Sequence, residues 1–147
     1  MNIDHINEKL SRQEGLSKTL GMEFLSTPEP DTCMARMKVC ECNRQPFGFL
    51  SGGATLALAE NLAGVGSLAL CPGKIGVGIN VSGSHIKAVL EGDTVTARAR
   101  PSATALRMVL RCSSESRASE RLAFLTRWNV SVNCIWNEFC MWYVLIV

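Results

Sequence analysis

Between Gly52 and Leu70 the chain reads GGATLALAENLAGVGSLAL, an apolar run with a single ionisable residue, Glu60. Such a run can be a membrane span or the buried helix of a globular domain. This one carries Glu60, Asn61 and four glycines, and a carboxylate at mid-bilayer is costly. A core helix is therefore expected, with Ser51 as its N-cap and the Pro and Gly of CPGK (Cys71–Lys74) ending it near Leu70. The chain has 147 residues, enough for one domain built around such a helix.

Around that helix the pattern is mostly strand. A short helix is expected over Ile3–Leu10, capped by Asn2, with Ile3, Ile6 and Leu10 on one side. TPEPD (Thr27–Asp31) is a turn between two strands. In the second strand Met34, Met37 and Val39 alternate imperfectly with Arg36 and Lys38, and the strand ends near Val39. Pro46 and Gly48 make NRQPFGF a loop. After the helix, IGVGINVSGSHIKAV is a Gly-rich strand region and LEGD (Leu90–Asp93) a turn. TVTARAR (Thr94–Arg100) alternates strictly, and two further strands are expected at about Ala105–Cys112 and Leu122–Val132. One long helix followed by a strand meander predicts an α+β domain, an antiparallel sheet packed on that helix.

Composition closes off several functions. The net charge of +2, with no Lys/Arg run, gives no basic footprint for nucleic acid. The seven cysteines are odd in number and follow no disulfide framework, so they are expected as thiols in a cytoplasmic protein. The pair in CEC (Cys40, Cys42) is too tight for a two-plus-two zinc site, and the two histidines, His5 and His85, are far from it in sequence, so no metal is expected. The mixed N-terminus MNIDHINEKL does not read as a signal peptide, and MWYVLIV at the other end is too short to span a membrane.

Helical spacing sets Gly53, Ala57, Glu60, Ala63, Gly64 and Ser67 on one side of the long helix. A ligand or a second chain could approach Glu60 closely along this strip of small side chains. Two readings of Glu60 are open: a solvated charge, or a partly buried acid or base whose pKa burial raises toward the range for proton transfer. A solvent stripe normally carries several charges, and here there is one. Gly52 and Gly53 leave the first-turn N–H groups sterically open, which suits an anion or a developing oxyanion, or simply a tight loop-to-helix joint. Nine residues, roughly 13 Å of helical rise, separate Ser51 from Glu60.

The stretch QPFGFLSGGATLALAENLAG (Gln45–Gly64) resembles the signature of the hotdog-fold acyl-CoA thioesterases, nearest to the hydroxybenzoyl-CoA, dihydroxynaphthoyl-CoA and phenylacetate-pathway group. The likeness is carried without a gap by Gln45, Pro46, Phe47, Gly48, Leu50, Gly52, Gly53, Ala54, Thr55, Leu58, Ala59 and Glu60. It extends through GINVSGSHIKAVLEGDTVTARARP, so that it covers about Leu20 to Pro101. The resemblance implies a hotdog fold, an antiparallel sheet wrapped around one long helix, and hydrolysis of a small aromatic acyl-CoA with no separate cofactor, coenzyme A being part of the substrate. It implies Glu60 as general base or nucleophile, with the Gly52 N–H and the Gln45 side chain polarising the thioester carbonyl. It also implies a substrate pocket that includes Phe47, Ser51, Gly53, Gly64, His85 and Lys87, with Lys87 toward the pantetheine or phosphates. Each site would be shared between subunits of a homodimer or homotetramer.

The sequence departs from that signature at three places. Ser51 stands where the group usually has His, and Gly64 where a Ser or Thr often positions water. Ser102–Ser119 lacks the His-x-Gly-Arg and the Trp-containing strand expected after Pro101, although RLAFLTRWNVSV then resembles the last family strand. A local reading-frame disturbance with restoration would leave this pattern. The domain is accordingly set at residues 1–134, with 135–147 as an apolar tail that needs burial. A non-catalytic acyl-CoA or small-ligand binding protein on the same fold is the alternative. An interaction protein that recruits a partner through the tail is a third reading.

Overall fold

The computed structural model describes residues 1–72, 78–85, 87–101, 130–134 and 140–146. Helix α1 (Asp4–Ser11) and the short α2 (Leu16–Thr19) lead into strands β1 (Met22–Leu25) and β2 (Cys33–Lys38). Helix α3 (Gly52–Leu70) follows, and then β3 (Gly78–Ser82), β4 (Thr94–Pro101), β5 (Val130–Cys134) and β6 (Cys140–Ile146). The six strands form one sheet in the order β1-β2-β4-β6-β5-β3, with every neighbouring pair antiparallel. Helix α3 packs across it, touching β2, β3, β4, β5 and β6.

The helix lies on a floor of small side chains. Three cross-strand pairs of β2 and β4 face it, Cys33–Ala99, Ala35–Ala97 and Met37–Val95, and all six residues are fully buried. Leu58, Ala59, Leu62 and Ala63 of α3 are fully buried with them. Strand β2 therefore alternates Cys33, Ala35 and Met37 inward with Met34, Arg36 and Lys38 outward or half-exposed. Met34 and Met37, read together in the sequence as the apolar side of this strand, are separated by three residues, so the period of two that turns Met37 inward turns Met34 to the other face. In β4 the strict alternation holds, with Val95, Ala97 and Ala99 inward.

Other boundaries shift by small, explicable amounts. Asn2 supports the first turn of α1 as expected, its Oδ1 accepting the Asp4 N–H at 2.9 Å, although Ile3 occupies the cap position. Helix α2 went unforeseen because four residues cannot display a helical period. The LEGD turn is present, and Gly92 takes φ +93°, the left-handed backbone that glycine adopts without cost. The strand expected at Ala105–Cys112 lies outside the described residues. Of that expected at Leu122–Val132, only Val130 onward is described, as the start of β5. The apolar stretch set apart at 135–147 supplies β6, which lies inside the sheet, hydrogen-bonded to β4 on one side and β5 on the other.

Candidate functional site

The approach to α3 is a loop over residues 39–51 closed on itself by backbone bonds. Arg44 and Leu50 form an isolated antiparallel bridge, as do Phe49 and Leu90, and Leu50 N–H donates to Val89 O at 2.8 Å. Gly48, at φ +82°, turns the chain at the tip. The residue that anchors the loop is Asn43, only 3% exposed. Its Nδ2 donates to Lys38 O at 2.8 Å and to Leu20 O at 3.3 Å, and its Oδ1 accepts the Cys40 N–H at 2.9 Å. Its own carbonyl accepts the Ser51 N–H at 2.9 Å, which fixes the residue preceding the helix. Sequence reasoning missed Asn43: an Asn in a loop signals a turn, and nothing in the sequence marks it as buried.

Ser51 takes the N-cap backbone conformation, φ −67° and ψ 133°, but its side chain makes no cap hydrogen bond. The expectation of a Ser51 side-chain cap is therefore corrected. Instead the Ser51 carbonyl accepts both the Thr55 N–H and the Thr55 hydroxyl, at 3.0 and 3.1 Å. The first-turn amides at Gly52 and Gly53 consequently have no side-chain acceptor from their own cap, and they begin a helix whose dipole favours negative charge there.

His85, on the segment after β3, comes to this helix start. A Cβ placed on Gly52 would lie 2.7 Å from His85 Nε2 and 2.8 Å from Cε1, so the ring rests directly against the Gly52 backbone and would have to turn aside for any larger residue. His85 itself is exposed on its outer side, and Lys87 is exposed nearby in sequence. Gln45 is exposed, its N–H bonded to Phe49 O at 2.6 Å and its Nε2 at 3.4 Å from Leu50 O, a long contact that leaves the amide able to turn to another acceptor. Phe47 at the loop tip is 80% exposed.

Further along α3 the expected strip divides. Ala63 and Ser67 turn into the core, whereas Gly53 and Glu60 are exposed and Ala57 and Gly64 half-buried. The open face is thus Gly53, Ala57, Glu60 and Gly64 at successive turns. Among the described residues nothing outside its own helix lies within 4 Å of a Cβ built on Gly64. Glu60 is exposed on this face and makes no ion pair among the described residues. A separate cleft of about 370 Å³ runs between α1, α2 and β1, lined by Leu10, Met22 and Phe24 among others, and includes none of these residues. Among the described residues no group of three or more His, Cys, Asp or Glu could hold a metal ion.

An antiparallel sheet laid over one long central helix, with a loop and a histidine meeting at the helix start, defines a hotdog domain. The profile of the Thioesterase superfamily matches residues 47–111. The chain is 35% identical over 86 residues to a 1,4-dihydroxy-2-naphthoyl-CoA hydrolase of Listeria monocytogenes, a match covering 58% of this chain and 68% of that protein. It is 49% identical over 87 residues to a "Putative esterase" of Deinococcus radiodurans, covering 58% of this chain and 53% of that one. The chain thus spans between about half and two thirds of the length of these curated relatives. The crystal structure of a Haemophilus influenzae thioesterase superposes with a TM-score of 0.62 at 28% identity, covering 99% of this chain and 88% of that one. The chain belongs to the thioesterase superfamily.

Proposed function

We propose that the protein is an acyl-CoA thioesterase that cleaves a small aromatic acyl-CoA to the free acid and coenzyme A. The observation that carries this reading is the start of α3, where the His85 ring rests against Gly52 and the Ser51 side chain makes no cap hydrogen bond to the first-turn amides. In the proposed reaction the thioester oxygen lies at the Gly52 N–H and at the Gln45 amide, and the growing negative charge is held by these donors and the helix dipole. Glu60 then acts from the same helix, either taking a proton from an attacking water or adding to the carbonyl itself. Phe47, Ser51, Gly53, Gly64 and His85 line the acyl and thioester pocket, and Lys87 meets the pantetheine or phosphate end. The aromatic preference is supported by the naphthoyl-CoA relative and by the exposed Phe47 and Phe49 beside the helix start.

The exposed Gly53–Gly64 face supports a site completed by a second copy of the chain in a homodimer or homotetramer, where the small side chains admit close approach. The protein is further proposed to act in the cytoplasm, without a metal or a separate cofactor. Hydrolysis of a panel of aromatic and aliphatic acyl-CoAs, followed by chromatography of released coenzyme A, tests the reading. Glu60→Gln is expected to lose on the order of 10²–10⁴-fold in rate, the usual cost of removing a catalytic base. Equal rates in the two proteins would remove Glu60 from the chemistry. Tight binding of acyl-CoA by the wild type without turnover would select a binding protein on the same fold.

A further inference from the structure

Cys40 and Cys42 flank Glu41 at the entrance to the loop that carries Gln45 and Ser51. Their sulfurs lie 2.6 Å apart as two thiols, with Cys40 half-buried and Cys42 exposed. In an extended strand, positions two apart are separated by roughly 6.6 Å of rise. Here a turn removes that separation. The Asn43 and Arg44 N–H groups both donate to Cys40 O, at 3.1 and 3.0 Å, and the Cys40 N–H donates to Asn43 Oδ1. The backbone therefore holds the sulfurs together before any bond joins them. Neither Cys33, buried against Leu62, nor Cys71, at the far end of α3, has a sulfur partner among the described residues.

We propose that Cys40 and Cys42 form a redox-active dithiol, a modification site that closes to a disulfide on reaction with a small-molecule disulfide such as oxidised glutathione and so shifts the loop carrying Gln45 and Ser51. The Cys40 thiolate attacks one glutathione sulfur, the glutathione S–S bond breaks, and one glutathione thiolate leaves. Cys42 loses its proton to water and attacks the Cys40 sulfur of the mixed disulfide, and the second glutathione leaves. Two electrons pass from the protein to the small disulfide, and two protons end on the released glutathione thiols. Either sulfur can be the donor in their contact, and the hydrogen bond with Cys40 together with burial holds the Cys42 thiol above the usual thiol range; the exchange has Cys40 attacking first, and the same two products result if the roles are reversed. A disulfide across one intervening residue forms a small strained ring, and strained exposed disulfides are readily reduced, so the closure is reversible.

The coupling to the loop runs through Asn43. Drawing the sulfurs to bonding distance tightens the Cys40–Asn43 turn, and Asn43 O is the acceptor that holds Ser51 N–H. The dithiol chemistry is independent of the thioesterase reading; only a change in hydrolysis would rest on it. The full chain, reduced and then equilibrated with graded ratios of oxidised to reduced glutathione, is quenched by alkylation and mapped by mass spectrometry. The peptide bearing residues 40–42 is expected to lose two hydrogens and both alkylation sites, and to recover them with dithiothreitol. Cys40→Ser and Cys42→Ser are each expected to stop at an unresolved glutathione adduct. Full alkylation of the wild-type peptide at every ratio, or an adduct that persists in it, overturns the site. Hydrogen exchange at the Ser51 amide is expected to change on oxidation of the wild type and not of the double Cys→Ser variant. Unchanged exchange in both overturns the coupling. Both readouts stand whether or not any thioester is hydrolysed.

Discussion

At the residue scale the contact between Gly52 and His85 is the most restrictive in the candidate site. Replacing a helical glycine by alanine ordinarily gains about 0.5–1 kcal/mol through the unfolded chain. At Gly52 the new methyl would meet the imidazole at 2.7 Å, closer than real Cβ contacts come. The ring ends an exposed side chain and can turn aside, so Gly52→Ala is expected to cost at most about 1 kcal/mol in urea unfolding, the cost of displacing His85 from its place. His85→Ala made beside it should remove most of that cost, a coupling that a double-mutant cycle measures. Gly64→Ala is the counterpart, since among the described residues the space around it is open. It should stabilise by about 0.5–1 kcal/mol, and a loss instead would show a second chain occupying that space. Cys33 gives a prediction in pH. Burial pushes its thiol up to about 12, above its value in an unfolded chain, so the neutral thiol's contribution is complete below pH 9 and is lost as pH rises from 9 toward 12. The urea midpoint should fall over that window, and Cys33→Ala should flatten the fall.

At the element scale the loop before α3 depends on Asn43 more than on any residue the signature names. Its side chain, itself buried, satisfies two backbone carbonyls and one backbone N–H. Asn43→Ala leaves buried partners unpaired and is expected to cost roughly 1–3 kcal/mol, with faster hydrogen exchange at Cys40 and Ser51. The Arg44 guanidinium, 3.2 Å from the Glu91 carboxylate, ties the same loop to the LEGD turn at a partly exposed position, so Arg44→Ala should cost under about 1 kcal/mol. Much of this element was legible beforehand. Pro46 and Gly48 marked the loop, and the apolar run with Pro and Gly beyond it bounded α3 at Gly52–Leu70. The role of Asn43 was not legible, because burial of a loop residue is set by β1, β2 and the chain before them, which meet it only in three dimensions. The split of the Gly53–Ser67 strip, with Ala63 and Ser67 turned inward, was hidden for a related reason: small residues suit a buried and an open face equally.

At the scale of the whole molecule the sheet order sets the strongest expectation. Strand β6 joins β4 to β5, and β5 alone carries β3, so removing residues 135–147 takes away the link between the two parts of the sheet. That truncation is expected to abolish cooperative unfolding, read by circular dichroism in urea, because a central strand supplies hydrogen bonds on both edges. The alternation in TVTARAR, the helix-plus-meander order and the Gln45–Glu60 signature were all present in the linear chain, because period and spacing are local properties. They determined an α+β hotdog domain and a candidate site running from Gln45 and the Gly52 amide to Glu60. What only the tertiary structure decided were contacts between distant segments. These are His85 against Gly52, Asn43 beneath the loop, and the C-terminal apolar stretch inside the sheet. Each depends on which surfaces meet once the chain closes, and a periodic pattern names the face a residue belongs to without naming what that face will touch.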